Sequence, residues 1–323
     1  MKREEIIRLE QKRQLDMLKQ FDAVCKKHDI QYFCAFGTVL GAVRHHGFIP
    51  WDDDIDIGIM REDFKKLCKV PEEEWGDDYL LLAPDTDDVR HDKLFARLYL
   101  KKSRIQSYQD VEGWRNYKDN STWSTSLMLD IFVFDYVPEN AAERTKVYQT
   151  IHEKFAKRYL ISKIKPITNS HNPKEKCKVF MKQILGRTLR LIHKKPWKFY
   201  YDKYNALVEK YNGGTKIGCF ATTGFSGSAY NAVENIWYYD YKDFFPTVTL
   251  EFEDMQIPAP NAWDKLLHLW YDGQDGDYMQ FPPEGQRYHI NFIYLDFGDG
   301  TSFVIDAVKG SLGEGKKTIS MDD

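Results

Sequence analysis

Residues 31–60 read QYFCAFGTVLGAVRHHGFIPWDDDIDIGIM, and the order of residue types in this stretch decides the fold class. QYFCAF (31–36) is a short apolar, aromatic run that stops at Gly37, as a strand does, and TVLGAVR (38–44) then has helical character with Thr38 in its first turn. HHGFIPW (45–51) is a connection rich in turn formers, with Gly47 and Pro50. DIDIGI (54–59) alternates polar and apolar residues as a half-buried strand does. Strand, glycine, helix, strand is the opening of an α/β (α+β) fold.

Outward from this stretch the same reading holds. Residues 4–28 form an amphipathic helix, with Ile7, Leu15, Leu18, Phe21 and Cys25 at three- and four-residue steps. A helix over about 61–69 follows, then strands KLFARLYL (93–100), SRIQSY (103–108) and SLMLDIFVF (126–134). The last is so apolar that it belongs in the middle of a sheet. Residues 139–211 read as basic helices with a break at NSHNP (169–173). Beyond them, GGTKIGCFATTGFSGS (213–228) is glycine-rich without a dinucleotide fingerprint. TVTLEFEDMQIPAP (247–260) reads as a hairpin, NAWDKLLHLWY (261–271) as a helix, and the end, GSLGEGKKTISMDD, as a frayed tail. The expected organisation is one domain over 1–300: a mixed sheet flanked by helices (1–140), a basic helical insertion (141–212) and a mixed α/β part that completes it (213–300), with a tail over 301–323.

The chain has 323 residues, 42% of them hydrophobic and 29% charged, which excludes a disordered or collagen-like chain. No apolar run is long enough to cross a bilayer and the start, MKREEIIRLEQKRQ, is charged where a secretory leader is apolar, so the expected location is the cytosol. Five cysteines, none in a CxxC pair, suggest neither a disulfide framework nor a zinc knot. Charge is unevenly spread. Residues 144–203 hold 17 Lys or Arg against three acids, while the whole chain carries −3. Such a segment suits an anionic partner, above all the inner face of a membrane, with a plain solvated helical hairpin as the alternative. No helix-turn-helix, RNP or zinc-finger pattern accompanies it, so no nucleic acid is expected.

Asp52, Asp53, Asp54 and Asp56 place four acids within five residues. On a strand Asp54 and Asp56 point the same way, roughly 6.5–7 Å apart at Cα, a spacing that suits a divalent ion. Without a cation the repulsion costs about 4 kcal/mol at an effective dielectric near 20. Magnesium, or manganese, fits such oxygen ligands better than zinc. The alternative is a solvated acidic turn. Gly37 and Thr38, where a strand turns into a helix, present backbone N–H groups suited to phosphate. Asp130, alone in an apolar strand, either completes the metal site as a general base or is a buried acid paired with an arginine. Arg44, Lys93 and Arg97, the last two on one face of their strand, suit the phosphates, or else pair with the acids. His45 and His46 lie between these elements and are candidate substrate contacts.

GTVLGAVRHHGFIPWDDDIDIGIMREDF (37–64), with LFARL, LDIFVFDYVP (129–138), LEFEDMQIPAPNAWDKLL (250–267) and GDYMQFPP (276–283), resembles the LicD family, which includes bacterial phosphocholine transferases and is related to fukutin-type proteins. The resemblance implies a nucleotidyltransferase-like fold in which Gly37 and Thr38 touch phosphate and Asp54, Asp56 and Asp130 bind Mg²⁺, with Asp52 at a further acidic position. It also implies transfer of a phospho-alcohol, such as phosphocholine, from a CDP-linked donor to a hydroxyl of a cell-surface glycan or lipid-linked glycan, releasing CMP. Two alternatives stay open: transfer of NMP from an NTP to a small molecule, and a non-catalytic relative that binds nucleotide or membrane.

Overall fold

A computed structural model of the chain describes residues 3–88, 91, 93–107, 126–163, 172–220, 238–272, 276–283, 287, 292–306, 311–314 and 317–320. Helix α1 (Arg3–Lys27) has Glu4 and Glu5 in its first turn and Lys26 and Lys27 in its last, the charge order the helix dipole favours. Helix α2 is Phe36–His45 and α3 is Arg61–Leu67. The strands follow as β1 (Phe33–Cys34), β2 (Asp56–Met60), β3 (Tyr79–Leu82), β4 (Ala96–Leu100), β5 (Arg104–Ser107), β6 (Met128–Tyr136), β7 (Lys216–Gly218) and β8 (Tyr238–Asp240).

Seven of these strands make one mixed sheet in the order β1-β2-β6-β4-β3, with β7 and β8 continuing from the end of β6. β2 and β6 are parallel, and β1, β4 and β3 are antiparallel to their neighbours. The apolar run of β6 accounts for its central place: both of its faces are covered. Leu129, Ile131 and Val133 enter one core together with Ile55, Ile57 and Ile59 of the β2 segment, under α1. Phe132 and Phe134 enter a second core built with the helices of the basic region.

Those helices are α4 (Ala141–Gln149), which runs through a π-helical stretch (Thr150–Ala156) into α5 (Lys157–Lys163), then α6 (Pro173–Ile192) and α7 (Pro196–Val208). Asn140 and Asn172 cap α4 and α6, accepting from the backbone N–H groups of Glu143 and Lys174. The Tyr159 hydroxyl ties α5 to the carbonyls of Pro84 (2.9 Å) and Lys93 (3.0 Å). At the C-terminal end of β2, Arg61 makes a bidentate pair with Asp135 of β6, 2.7 Å at each contact, with both side chains at most 4% exposed. Tyr201, Tyr204 and Asn205 of α7 accept its remaining hydrogen bonds, and the Tyr204 hydroxyl in turn donates to Asp135. Burial disfavours the guanidinium charge, but Asp135 together with Tyr204 and Tyr201 more than offsets it, and Arg61 is held firmly charged.

The C-terminal part supplies α8 (Tyr241–Phe244), the hairpin β9 (Val248–Phe252) and β10 (Met255–Ala259), and α9 (Trp263–Tyr271). β11 (Phe292–Asp296), β12 (Ser302–Asp306), β13 (Ser311–Glu314) and β14 (Lys317–Ser320) form a second, antiparallel sheet with β5.

Three expectations change. The described residues after 300 are mostly in strands: Gly313 of the expected tail lies within β13, paired with Val304 and Thr318, and Gly298 and Gly300 stand at positive φ between β11 and β12. The strand expected over 93–100 begins at Ala96, so Lys93 lies ahead of it and does not share a strand face with Arg97. Asp54 likewise precedes β2 instead of lying on it. The glycine-rich stretch 221–228 lies outside the described residues, as does most of the break at 169–173.

Candidate active site

Parallel pairing of β2 with β6 sets Asp56 directly opposite Asp130, and antiparallel pairing of β6 with β4 sets Asp130 opposite Arg97. Adjacent strands are about 4.8 Å apart and paired residues share a face. The three side chains therefore form a row across the N-terminal end of the parallel pair. Asp130 accepts from Arg97 Nε at 2.6 Å and from Nη2 at 3.3 Å. The arginine-paired alternative for Asp130 is therefore the one observed, and Arg97, expected as a phosphate ligand, is engaged by a carboxylate. Burial disfavours the Arg97 charge, yet Asp130 holds its pKa above the usual value.

Asp52, Asp53 and Asp54 lie in the connection that leads into β2, and one carboxylate oxygen from each falls within 4.8 Å of the others. Asp53 thus joins the group. Asp52 is pushed up to about 6, by burial first and then by the charge of Asp53. Asp54 reaches solvent, but protein packed around its carboxylate and the charges of Asp56, Asp52, Asp53 and Asp130 hold it well above the usual carboxylate range. Asp56 is raised by burial and then by Asp130. Four carboxylates packed this closely are under-compensated, because Arg97 serves Asp130. Such an all-oxygen set fits a hard divalent cation.

The loop is held from below by α1. Gln11 Nε2 donates to the carbonyls of Ile49 (3.0 Å) and Asp52 (2.9 Å), and Gln14 Nε2 to that of Asp53 (2.6 Å). Both glutamines are 2% exposed. They stand four and seven residues after Ile7, inside the apolar stripe of α1, and amides in such positions are the signal that could have found them. Glu10 beside them is pushed well above the carboxylate range by burial and then by Asp53.

Gly37 and Thr38 sit in the first turn of α2, but in roles other than those expected. The left-handed conformation falls on Phe36 (φ 46°), leaving Gly37 with no need of positive φ. Its missing side chain makes room instead: a Cβ there would stand 2.7 Å from Asp52 Oδ2 and 3.8 Å from the Tyr271 hydroxyl. Thr38, 5% exposed, uses its hydroxyl oxygen to accept from the Asp56 N–H at 2.9 Å, which fixes the start of β2.

The positive side of the site comes from two arginines. The guanidinium of Arg44 lies 5.8 Å from the Trp51 ring and 5.1 Å from the Phe281 ring; that of Arg287 lies 5.1 and 5.4 Å from the same rings. Arg44 Nη1 donates to the carbonyls of Tyr278 (2.8 Å) and Gln280 (3.1 Å), and its Nε to His45 Nε2 (3.0 Å). The Arg44 pKa is lowered by burial, with the charge of Arg287 adding to the effect. Neither arginine has a carboxylate in ion-pair contact among the described residues. Two like charges stacked beside an acid cluster make an anion site next to a cation site. Tyr271, at the end of α9, faces the acids from the other side, and its phenol is kept protonated by burial and by Asp56, Asp52 and Asp54. Arg287 and Tyr271 lie in stretches whose local sequence carries no phosphate motif; only the fold brings them here.

The sequence model of the LicD/FKTN/FKRP nucleotidyltransferase domain matches residues 29–170, which contain all of the acids, Arg44 and Arg97. Over 288 residues the chain is 26% identical to the lipopolysaccharide cholinephosphotransferase LicD of Haemophilus influenzae, covering 87% of this chain and 95% of that one. Residues 29–170 thus carry a domain of the LicD type. Shorter likenesses reach 48% identity over 54 residues with an uncharacterized protein of Rickettsia prowazekii, 17% of this chain and 20% of that one, and 53% over 47 residues with one of Rickettsia typhi, 15% of each. The family match stops short of Tyr271, Phe281 and Arg287, so the C-terminal part, outside the matched domain, supplies one wall of the site.

Proposed function

We propose that this chain is a transferase that moves a phospho-alcohol of the phosphocholine type from a CDP-linked donor to a hydroxyl of a cell-surface glycan, a lipopolysaccharide sugar in the first instance, and releases CMP. What carries the reading is the junction of two opposite sites: the carboxylates of Asp52, Asp53, Asp54 and Asp56 beside the arginine pair Arg44 and Arg287. The Haemophilus relative's name supports the choline phosphate and the lipopolysaccharide.

Asp52, Asp53 and Asp54, with Asp56 next to them, would hold Mg²⁺ or Mn²⁺, which supplies charge neutralisation at the phosphates when bound. Arg44 and Arg287 bind the diphosphate of the donor and stabilise the charge that gathers on the leaving CMP. The Tyr271 phenol, held protonated, donates a hydrogen bond to a phosphate oxygen. As the acceptor oxygen bonds to the β-phosphorus, the bond from that phosphorus to the oxygen of CMP breaks, and the hydroxyl proton passes to a carboxylate. Both oxygens of Asp130 are engaged by Arg97, so Asp54, which reaches solvent, is the better placed acceptor. Asp130 then orients the row and no longer serves as the base.

The test is CMP release from CDP-choline with a deacylated lipopolysaccharide acceptor and Mg²⁺, followed by mass spectrometry of the acceptor. Asp54→Asn and Asp56→Asn should lose turnover by three orders of magnitude or more while keeping a cooperative melt, an estimate on the order of known charge-stabilisation losses. Release of pyrophosphate from an NTP would assign nucleotidyl transfer instead, and full activity of either variant or in EDTA would refute the site.

A further inference from the structure

Helix α6 presents two unlike faces. Through Gly186 and Leu189, its two buried residues, it packs on its neighbours, and at Gly186 the approach to α5 is so close that a Cβ would stand 2.7 Å from the carbonyl oxygen of Ile161. The opposite face carries Phe180, Met181, Ile184, Leu185, Leu191 and Ile192, which are 58, 58, 41, 40, 87 and 65% exposed. At 100° per residue these six fall within an arc of roughly 140°, shared with Cys177 and Thr188. A solvated helix does not gather six large apolar side chains on one outward arc.

Charge identifies what covers it. Lys176 and Arg187 border one edge of the arc and Lys178 the other, with Lys182 exposed farther round the helix, and Lys194 and Lys195 follow the helix. The single acid of the helix, Glu175, is on the packed side and pairs with Lys178. Among the described residues Lys174, Lys176, Lys182, Arg187 and Lys194 have no ion-pair partner. The described helices include none long and apolar enough to cross a membrane. An apolar arc edged by cations lies in the plane of a bilayer surface, with the side chains among the acyl chains and the cations at the headgroups. A second copy of the same face would set cations against cations.

We propose that the outer face of α6 docks this protein on an anionic phospholipid surface. The proposal is independent of the transfer chemistry. It is tested with the full chain by flotation with vesicles of pure phosphatidylcholine or with 30% phosphatidylglycerol, in 0.1 and 0.5 M NaCl. Binding is expected on the anionic vesicles, at least tenfold weaker on the neutral ones, and reduced by salt. Phe180→Ser with Leu191→Ser should abolish it, and Lys182→Glu with Arg187→Glu should weaken it by at least tenfold, each with an unchanged melting temperature because all four side chains are exposed. CMP release with a soluble acceptor should be unaffected. Equal binding to both vesicle types, no binding to either, or a dimer in sedimentation that Leu191→Ser dissociates would each overturn the proposal.

Discussion

Gly37→Ala separates the stability of this protein from its activity. Gly37 is in the first turn of a helix and has no positive φ, so the backbone accepts alanine, which gains up to about 1 kcal/mol in helix propensity. The added Cβ, however, would stand 2.7 Å from Asp52 Oδ2, well inside van der Waals contact, and the carboxylate must retreat by roughly half an ångström or more. Asp52 is the flexible partner, so folding loses little. Its neighbours Asp53 and Asp54 are grouped within 4.8 Å, and a displacement of that size at one ligand disturbs the whole set. Misplacement of a reacting group by about 1 Å costs about a hundredfold, so CMP release should fall on the order of ten- to a hundredfold and half-saturation by Mg²⁺ should move to higher concentration. The assay is a Mg²⁺ titration of initial rates beside a thermal melt of the same preparation. Unchanged rates at every Mg²⁺ concentration would refute the placement of Asp52, and a lowered melting temperature would refute the claim that the clash is absorbed by a side chain.

Three further outcomes follow from the geometry. Asp135→Asn leaves the buried Arg61 guanidinium unpaired and should cost about 3–5 kcal/mol, read as a lower denaturation midpoint in urea. Arg287→Gln should raise the KM for the CDP-linked donor about tenfold or more with little change in the melting temperature, because its side chain stacks on Trp51 and Phe281 at the edge of the site; an unchanged KM would remove it from the donor site. Glu10 has a folded-state pKa above its unfolded value, so it binds more protons when folded, and stability falls as the pH rises from the unfolded pKa toward the folded one. Glu10→Gln removes that loss, and its melting temperature should exceed that of the parent by more at pH 8 than at pH 5.

The sheet and the acid cluster were legible because both are written locally. The alternation in DIDIGI, the doubly apolar run of SLMLDIFVF and the charge run at 52–56 each need only neighbours in sequence, and β6 lies in mid-sheet, as its composition requires. What went unread depends on which strands pair. The sequence leaves Arg97 open between a phosphate contact and an ion pair with the acids, until antiparallel pairing sets it opposite Asp130. Gly37 reads as a turn glycine, yet Phe36 takes the strained conformation and Gly37 serves the approach of Asp52. Gln11 and Gln14 look like defects in an amphipathic stripe until the carbonyls of the acidic loop are set over them. The polar, glycine-containing stretches of the last twenty residues conceal strands that add one after another to β11, whose other neighbour, β5, lies far away in the chain.

The knot of Arg61, Asp135, Tyr204 and Asn205 bears on any attempt to pare this protein down. By length and composition residues 141–212 look like a cassette to excise for a minimal catalyst. Excision would take away the phenol and the amide that complete the shell around a guanidinium sealed inside the fold, and would bare Phe132 and Phe134 on the same strand that presents Asp130. The surviving sheet would be left with an incompletely solvated ion at one end of its central strands and its reactive row at the other. A smaller working version is therefore to be sought by shortening loops, with the helices kept whole.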